Sequence, residues 1–195
     1  SSWVIDWTRF FDFTDIPEVV NSQHSNRARS ICPSLVTAMT KLPPFLKDEE
    51  KLMASLPVRN LLRGRFLGLP AGQCVARRLG VGELTPDEIK KGTSERRREI
   101  LESTGFDQLT PLWYYILKEA EEHHAGKCLG PVGSRIVGET FIGLMRKSRV
   151  SILPPVKGSP IWEPNLGVRK GRFRMPDLLF FVERIVGNHI NPLGN

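Results

Sequence analysis

Proline at the heads of helical stretches is the feature that most restricts the folds open to this chain. Pro57, Pro86, Pro111, Pro131 and Pro176 each stand where an apolar pattern of helical period begins. A proline ring is well tolerated in a helix only in its first turn, where the missing N–H leaves no bond unmade. Thr85-Pro86-Asp87-Glu88 adds a capping hydroxyl and a glutamate three residues beyond it, the signature of a capping box. Thr110-Pro111 repeats the cap-and-proline signal ahead of Leu112 to His124. No stretch alternates apolar and polar residues with period two, and no internal repeat or low-complexity tract occurs, so the expected fold class is mainly α.

The same signals order the chain. Pro57 opens a helix that Gly68, just before Leu69-Pro70, is placed to stop, and Asp48 is placed to cap a preceding helix through about Leu56. Thr93 to Thr104 is predicted as a charged amphipathic helix, and Leu112 to His124 as one that covers a core with Leu112, Tyr115, Ile116 and Leu117. Pro131 to Lys147 carries a stripe of Val137, Phe141, Leu144 and Met145, which reads as core. Its Gly133, Gly138 and Gly143 permit close approach of another helix at some cost in propensity. Pro176 opens a last apolar helix to about Val186. Trp3, Trp7 and Phe10 recur at helical spacing and are expected to pack in the interior. Residues 21–47 read as a surface connector, and residues 148–174 as loop.

Several function classes find little support. No run of about 18 apolar residues exists, so no membrane span is expected. The start SSWVIDWTRFFDF lacks the basic and apolar regions of a signal peptide, and a chain beginning at Ser1 is expected to start inside a longer polypeptide, although processing would give the same start. Any targeting signal would then lie upstream, which leaves a secreted and a cytoplasmic location equally open. The net charge is +7, but bases and acids interleave in most segments; only Val168 to Arg174 is densely basic, with one aromatic, and nucleic-acid binding is not expected. Cys32, Cys74 and Cys128 give neither a disulfide framework nor a metal spacing. Glu121, Glu122, His123 and His124 fit a solvated last helical turn better than a zinc motif, and no metal ligand is assigned. Neither a Gly-x-Ser-x-Gly elbow nor a phosphate-cradling Gly-x-x-x-x-Gly-Lys-Ser/Thr loop is present.

What remains is Leu56 to Gly80, where an amide and several arginines stand among apolar neighbours. Asn60 and Arg63 are three residues apart on a predicted helix, about one turn from each other. An amide carbonyl can accept the Nδ1–H of an iron-ligating histidine, and a guanidinium can hold a carboxylate through two charge-assisted hydrogen bonds. The residues alone leave open a plainer arrangement, an asparagine bonded to a neighbouring loop beside a solvated arginine.

The segment Asn60-Leu-Leu-Arg63-Gly-Arg65-Phe-Leu-Gly68-Leu69-Pro70 resembles the Asn-x-x-Arg-x-Arg-x-x-Gly-Leu-Pro signature of the animal-type haem peroxidases, the peroxidase–cyclooxygenase superfamily. LTPLWYYILKEAE at 109–121, LGPVGSRIVGETFIGLMR at 129–146 and the terminal FRMPDLLFFV and NPLG resemble the same family in the same order. Phe66-Leu67 replaces the Asp-His pair of the mammalian branch, so the resemblance is to the bacterial-like branch.

The resemblance implies that residues 1–195 form the C-terminal helical portion of a single haem peroxidase catalytic domain. Asn60 would partner the proximal histidine, and Arg63 would lie near a haem propionate. The implied cofactor is haem, either haem b or a covalently attached derivative, and the implied activity is reduction of hydrogen peroxide coupled to oxidation of a small-molecule electron donor. In the family the distal and proximal histidines precede the region represented here. None of His24, His123, His124 and His189 lies in the matching context. An N-terminal chain or segment carrying the haem-ligating histidine is therefore an implied partner. Two alternatives stand beside this expectation: a fatty-acid dioxygenase of the same superfamily, and a haem-free helical interaction module.

Overall fold

The computed structural model describes residues 5–26, 28–42, 53–153, 162–187 and 190. Among these residues the protein is mainly α, with seven α-helices and no strand: α1 Leu56–Phe66, α2 Gly72–Leu79, α3 Pro86–Lys90, α4 Glu95–Thr104, α5 Leu112–His124, α6 Pro131–Lys147 and α7 Met175–Val186. A single β-type bridge pairs Ala71 with Pro111. Residues 48–52 of the helix predicted from Asp48 lie outside the described ones, as do Trp3 and His189, and Met53 and Ala54 form a turn ahead of α1.

The prolines mark the helix starts as expected, with one change. Pro57 and Pro176 are second residues of their helices and Pro86 and Pro131 are first residues, but Pro111 sits one position earlier, as the residue capping α5. Thr110 does not cap that helix because its side chain is buried and bonded elsewhere. The capping box ahead of α3 forms in full, with Thr85 and Glu88 each accepting the other's backbone N–H. Ser94 rather than Thr93 precedes α4, since the Thr93 hydroxyl donates back to the Lys90 carbonyl at 2.7 Å.

The chain divides into two compact units, one built from residues 1–29 and 144–195, the other from 30–143. The core of the 30–143 unit comprises Ala76, Leu84, Ile89, Leu101, Tyr115 and Val132, flanked by Leu79, Leu112, Ile116 and Ile136. Tyr115 is fully buried, and its ring occupies the space left by a missing side chain: a Cβ on Gly72 would fall 2.0 Å from Tyr115 Cγ. The ring's hydroxyl accepts the Leu84 backbone N–H at 2.9 Å, so one side chain ties α5 to both the start of α2 and the segment before α3.

Two charged residues of α5 are equally buried. The Glu119 carboxylate accepts the Val132 and Gly133 N–H groups at 3.0 to 3.2 Å, neutralising orphan donors where the α6 dipole is positive. Gly130 makes room for it, because a Cβ there would lie 2.3 Å from Glu119 Cγ. Lys118 places its ammonium between Glu121 at 2.7 Å and Glu122 at 2.9 Å and donates to the Lys91 carbonyl. Burial disfavours its charged form, but the two carboxylates outweigh burial and hold its pKa above the ordinary lysine value.

The other unit joins the two ends of the chain. Phe13, Ile16 and Ile190 form its buried cluster, with Trp7, Phe11, Leu179 and Phe180 against it, and the Trp7 N–H donates to the Ile190 carbonyl at 3.0 Å. Among the described residues the pattern read at Trp3, Trp7 and Phe10 takes the form of a short 3₁₀ turn over Trp7–Arg9, with Phe10 exposed and Phe13 in the interior. Asp15 gathers the basic loop: Arg169 and Arg174 approach its carboxylate at 2.5 and 2.9 Å, and Arg172 lies at 3.6 Å. Asp177 accepts the Arg174 and Val168 N–H groups at 2.8 and 3.0 Å and closes the loop onto α7.

The apolar stripe of α6 corrects the sequence reading. Val137, Phe141 and Leu144 are exposed, Phe141 by 62%. The face that packs is Val132, Gly133 and Ile136; at about 100° per residue Val137, Phe141 and Leu144 centre about 100° further round the axis.

Tyr115→Phe should leave the buried Leu84 N–H without a partner and cost about 1 to 3 kcal/mol in chemical denaturation. A midpoint within experimental error of wild type would show that this bond contributes nothing. Acid should loosen the loop that leads into α7. Burial opposes the charged forms of Asp6 and Asp177. Their bonds from Thr8 and Arg9, and from Arg174 and Val168, prevail and lower both pKa values. A carboxylate depressed in the folded state contributes stability above its unfolded value, near pH 4, and loses it as pH falls through the folded value. Amide hydrogen exchange around residues 168–177 should therefore accelerate below about pH 4, and Asp177→Asn should accelerate it already at neutral pH.

Candidate functional site

None of the 11 residues of α1 is buried, although the helix is rich in leucine. One side of it instead forms the wall of a partly open cavity of about 470 Å³, within the size range of small-molecule sites. Asn60, Leu61, Gly64 and Arg65 of α1 line one wall; Phe106, Leu109 and Pro111 line another; Leu112 and Trp113 of α5 complete it, with Leu69 and Ala71 at the turn between α1 and α2. The surface is predominantly hydrocarbon and aromatic, with one amide and one guanidinium as its polar side chains. Much of that hydrocarbon faces solvent: Leu61, Leu69, Phe106 and Leu109 are all exposed, Leu109 by 57%.

Local sequence explains each wall. Pro57 sets the start of α1 and so the phase of everything after it. Gly64 leaves the middle of the wall without a side chain, and a Cβ there would meet only Leu69 Cδ1 at 3.8 Å. The opposite wall rests on Gln73, a buried amide whose Nε2 donates to Thr110 Oγ1 at 2.9 Å and whose Oε1 accepts the Thr110 N–H at 3.0 Å. The Thr110 hydroxyl bonds the Phe106 carbonyl at 2.7 Å, and the Gly72 N–H donates to the Thr110 carbonyl at 2.9 Å. The segment bearing Phe106 and Leu109 is thereby fastened to the start of α2 by uncharged hydrogen bonds.

Of the residues singled out in the sequence, Asn60 is half-buried on the cavity wall. Arg63 is exposed and does not line the cavity. Three residues turn the helix by about 300°, so Arg63 stands about 60° from Asn60 on the side away from Gly64 and Arg65. The guanidinium that shares the cavity with Asn60 is Arg65, which pairwise spacing overlooked. The lining residues of α1 are Asn60, Leu61, Leu62, Gly64 and Arg65, a broad arc of the helix that two-residue spacing does not define. Neither Arg63 nor Arg65 makes a side-chain hydrogen bond or ion pair among the described residues.

The histidines stand elsewhere. His123 and His124 are exposed in the last turn of α5, about 15 Å along the helix from Trp113, and His24 is exposed in the other unit. Among the described residues no group of three His, Cys, Asp or Glu side chains is arranged to hold a metal ion, and no helix is long and apolar enough to cross a membrane. Cys32, Cys74 and Cys128 are free. Tyr115 is committed to Leu84, whereas the Tyr114 hydroxyl is buried near Arg97; burial raises its pKa, with the Arg97 charge working the other way.

Gln73→Leu should lower stability by about 1 to 3 kcal/mol, because the Thr110 N–H loses its acceptor in a dry environment. It should also loosen the wall, read as faster hydrogen exchange at residues 106–110; unchanged exchange there would mean that the wall is held by other contacts.

Compared with family models, curated proteins and solved structures, the chain gives no match in any of the three.

Proposed function

We propose that this chain is the C-terminal helical part of a haem peroxidase catalytic domain, in which α1 forms one wall of the haem site and an N-terminal segment or partner chain supplies the proximal and distal histidines. The observation that carries the reading is the placement of Asn60, a half-buried amide on an apolar, solvent-open cavity wall, inside the stretch that resembles the family signature. The chemistry of the wall suits a haem edge. An apolar surface accommodates the macrocycle, Asn60 offers an amide carbonyl, and α1 holds two guanidiniums, Arg63 and Arg65, with no carboxylate partner among the described residues.

When bound, haem would supply the iron that reacts with hydrogen peroxide and draws electrons from a small-molecule donor. The part of this chain is to set up that chemistry. Asn60 Oδ1 would accept the Nδ1–H of the ligating histidine, fixing its tautomer and making its other nitrogen a stronger donor. An α1 arginine would neutralise a propionate. Leu61, Leu69, Phe106 and Leu109 would exclude water from the site, which strengthens both polar contacts.

A haem-free interaction module is favoured by a different feature, the outward apolar stripe of α6. The basic loop at 168–174 lends that alternative no support, since its three arginines turn to Asp15. The visible spectrum of natively purified protein separates the two: a Soret band that shifts on addition of peroxide is expected. In that material Asn60→Ala should lower peroxidase turnover about 10- to 100-fold, the usual loss when the partner of a ligating histidine is removed. A wild-type spectrum and turnover in the variant would exclude the assigned role.

A further inference from the structure

We infer that Arg65, rather than Arg63, takes the carboxylate of the molecule that occupies the α1 cavity, and that this molecule lies with its apolar body against Gly64. The inference rests on the reading of the cavity as a ligand site but requires only the shared chemistry of its occupant, an apolar body bearing a carboxylate. Two such occupants differ in shape: a porphyrin and a fatty acid.

Three observations combine. Arg65 lines the cavity and Arg63 does not, although both lie on the same short helix and both are exposed. Arg65 makes no side-chain hydrogen bond or ion pair among the described residues, and its charge lies beside a largely hydrocarbon surface. A guanidinium at such a boundary matches a carboxylate through two parallel hydrogen bonds, which are stronger where apolar walls displace water. Gly64 supplies the third. It stands between Asn60 and Arg65 on the lining arc, and with only Leu69 Cδ1 near the position of a Cβ it opens a strip of helix backbone on which a flat or linear hydrocarbon can rest. Round the lining arc Asn60 is followed by the bare backbone of Gly64, then Leu61, then Arg65, with Leu62 beyond, so an amide, an apolar strip and a guanidinium share one broad helix face. An amphipathic acid has the complementary order.

The test titrates the chain with metal-free protoporphyrin IX, with its dimethyl ester and with palmitate, following porphyrin fluorescence for the first two and heat for the third. Arg65→Leu should weaken the diacid about tenfold, the scale of one charge-assisted contact, and leave the ester unchanged, whereas Arg63→Leu should leave both unchanged. Arg65→Lys should recover part of the loss, because it restores the charge without the fork. Gly64→Leu, a change that an α-helix accepts readily, should weaken porphyrin and ester alike by filling the strip; circular dichroism checks that each variant keeps its helices. A loss confined to Arg63→Leu overturns the inference and leaves the haem reading standing. Arg65-dependent binding of palmitate without binding of either porphyrin upholds the inference and overturns haem as the occupant. Failure of all three probes to bind wild type overturns the inference, and the Soret band of natively purified protein then decides the haem reading separately.

Discussion

The ring of Tyr115, seated on the bare backbone of Gly72, is the contact on which the 30–143 unit depends. It fixes how closely α2 and α5 approach, and through the Leu84 N–H it also positions the segment that leads into α3. One residue along, Gln73 holds Thr110, so the Gly72–Gln73 pair sets both the packing of the core and the position of the segment that walls the cavity. A side chain at Gly72 would push the ring away, and the first casualty would be the Gln73–Thr110 pairing next to it. Core and cavity are consequently parts of one packing solution, built on the absence of a single methyl group.

Burial of charge follows a similar economy. Lys118 and Glu119 are neighbours on α5, both almost without solvent contact, and neither is paired with the other. Lys118 meets carboxylates and a carbonyl, while Glu119 meets the backbone donors at the start of α6. Each has partners of suitable charge or dipole, which is the condition for tolerating a charge in a dry interior. Replacing either by an apolar residue would leave its several partners unsatisfied at once, so the two positions are coupled to elements well separated in sequence.

The helices were legible because proline and glycine act locally: Pro57, Pro86, Pro131 and Pro176 constrain the first turn whatever surrounds them. Thr110 was misread as a cap because the same hydroxyl can bond a helix end or a distant amide, and only the approach of Gln73 decides which. Val137, Phe141 and Leu144 of α6 read as core because periodicity reveals that a helix has an apolar face and says nothing of what covers it. In α1 the motif singles out Asn60 and Arg63, but which arginine lines the cavity depends on which arc of the helix faces Phe106 and Leu109. That is a tertiary fact, invisible to spacing between two residues. Phe13 was overlooked for a related reason: the 3₁₀ turn at Trp7–Arg9 changes the phase of the aromatics that follow it.

The hydrogen bonds that hold the cavity wall join neutral partners: an amide, a hydroxyl and backbone groups. The loop beside α7, by contrast, is held through Asp15, Asp177 and arginines. Ionic strength screens the second set and hardly touches the first. The shape of the wall opposite α1 is therefore indifferent to salt, and any salt dependence of what enters the cavity would report the charge of the occupant, not a change in its container.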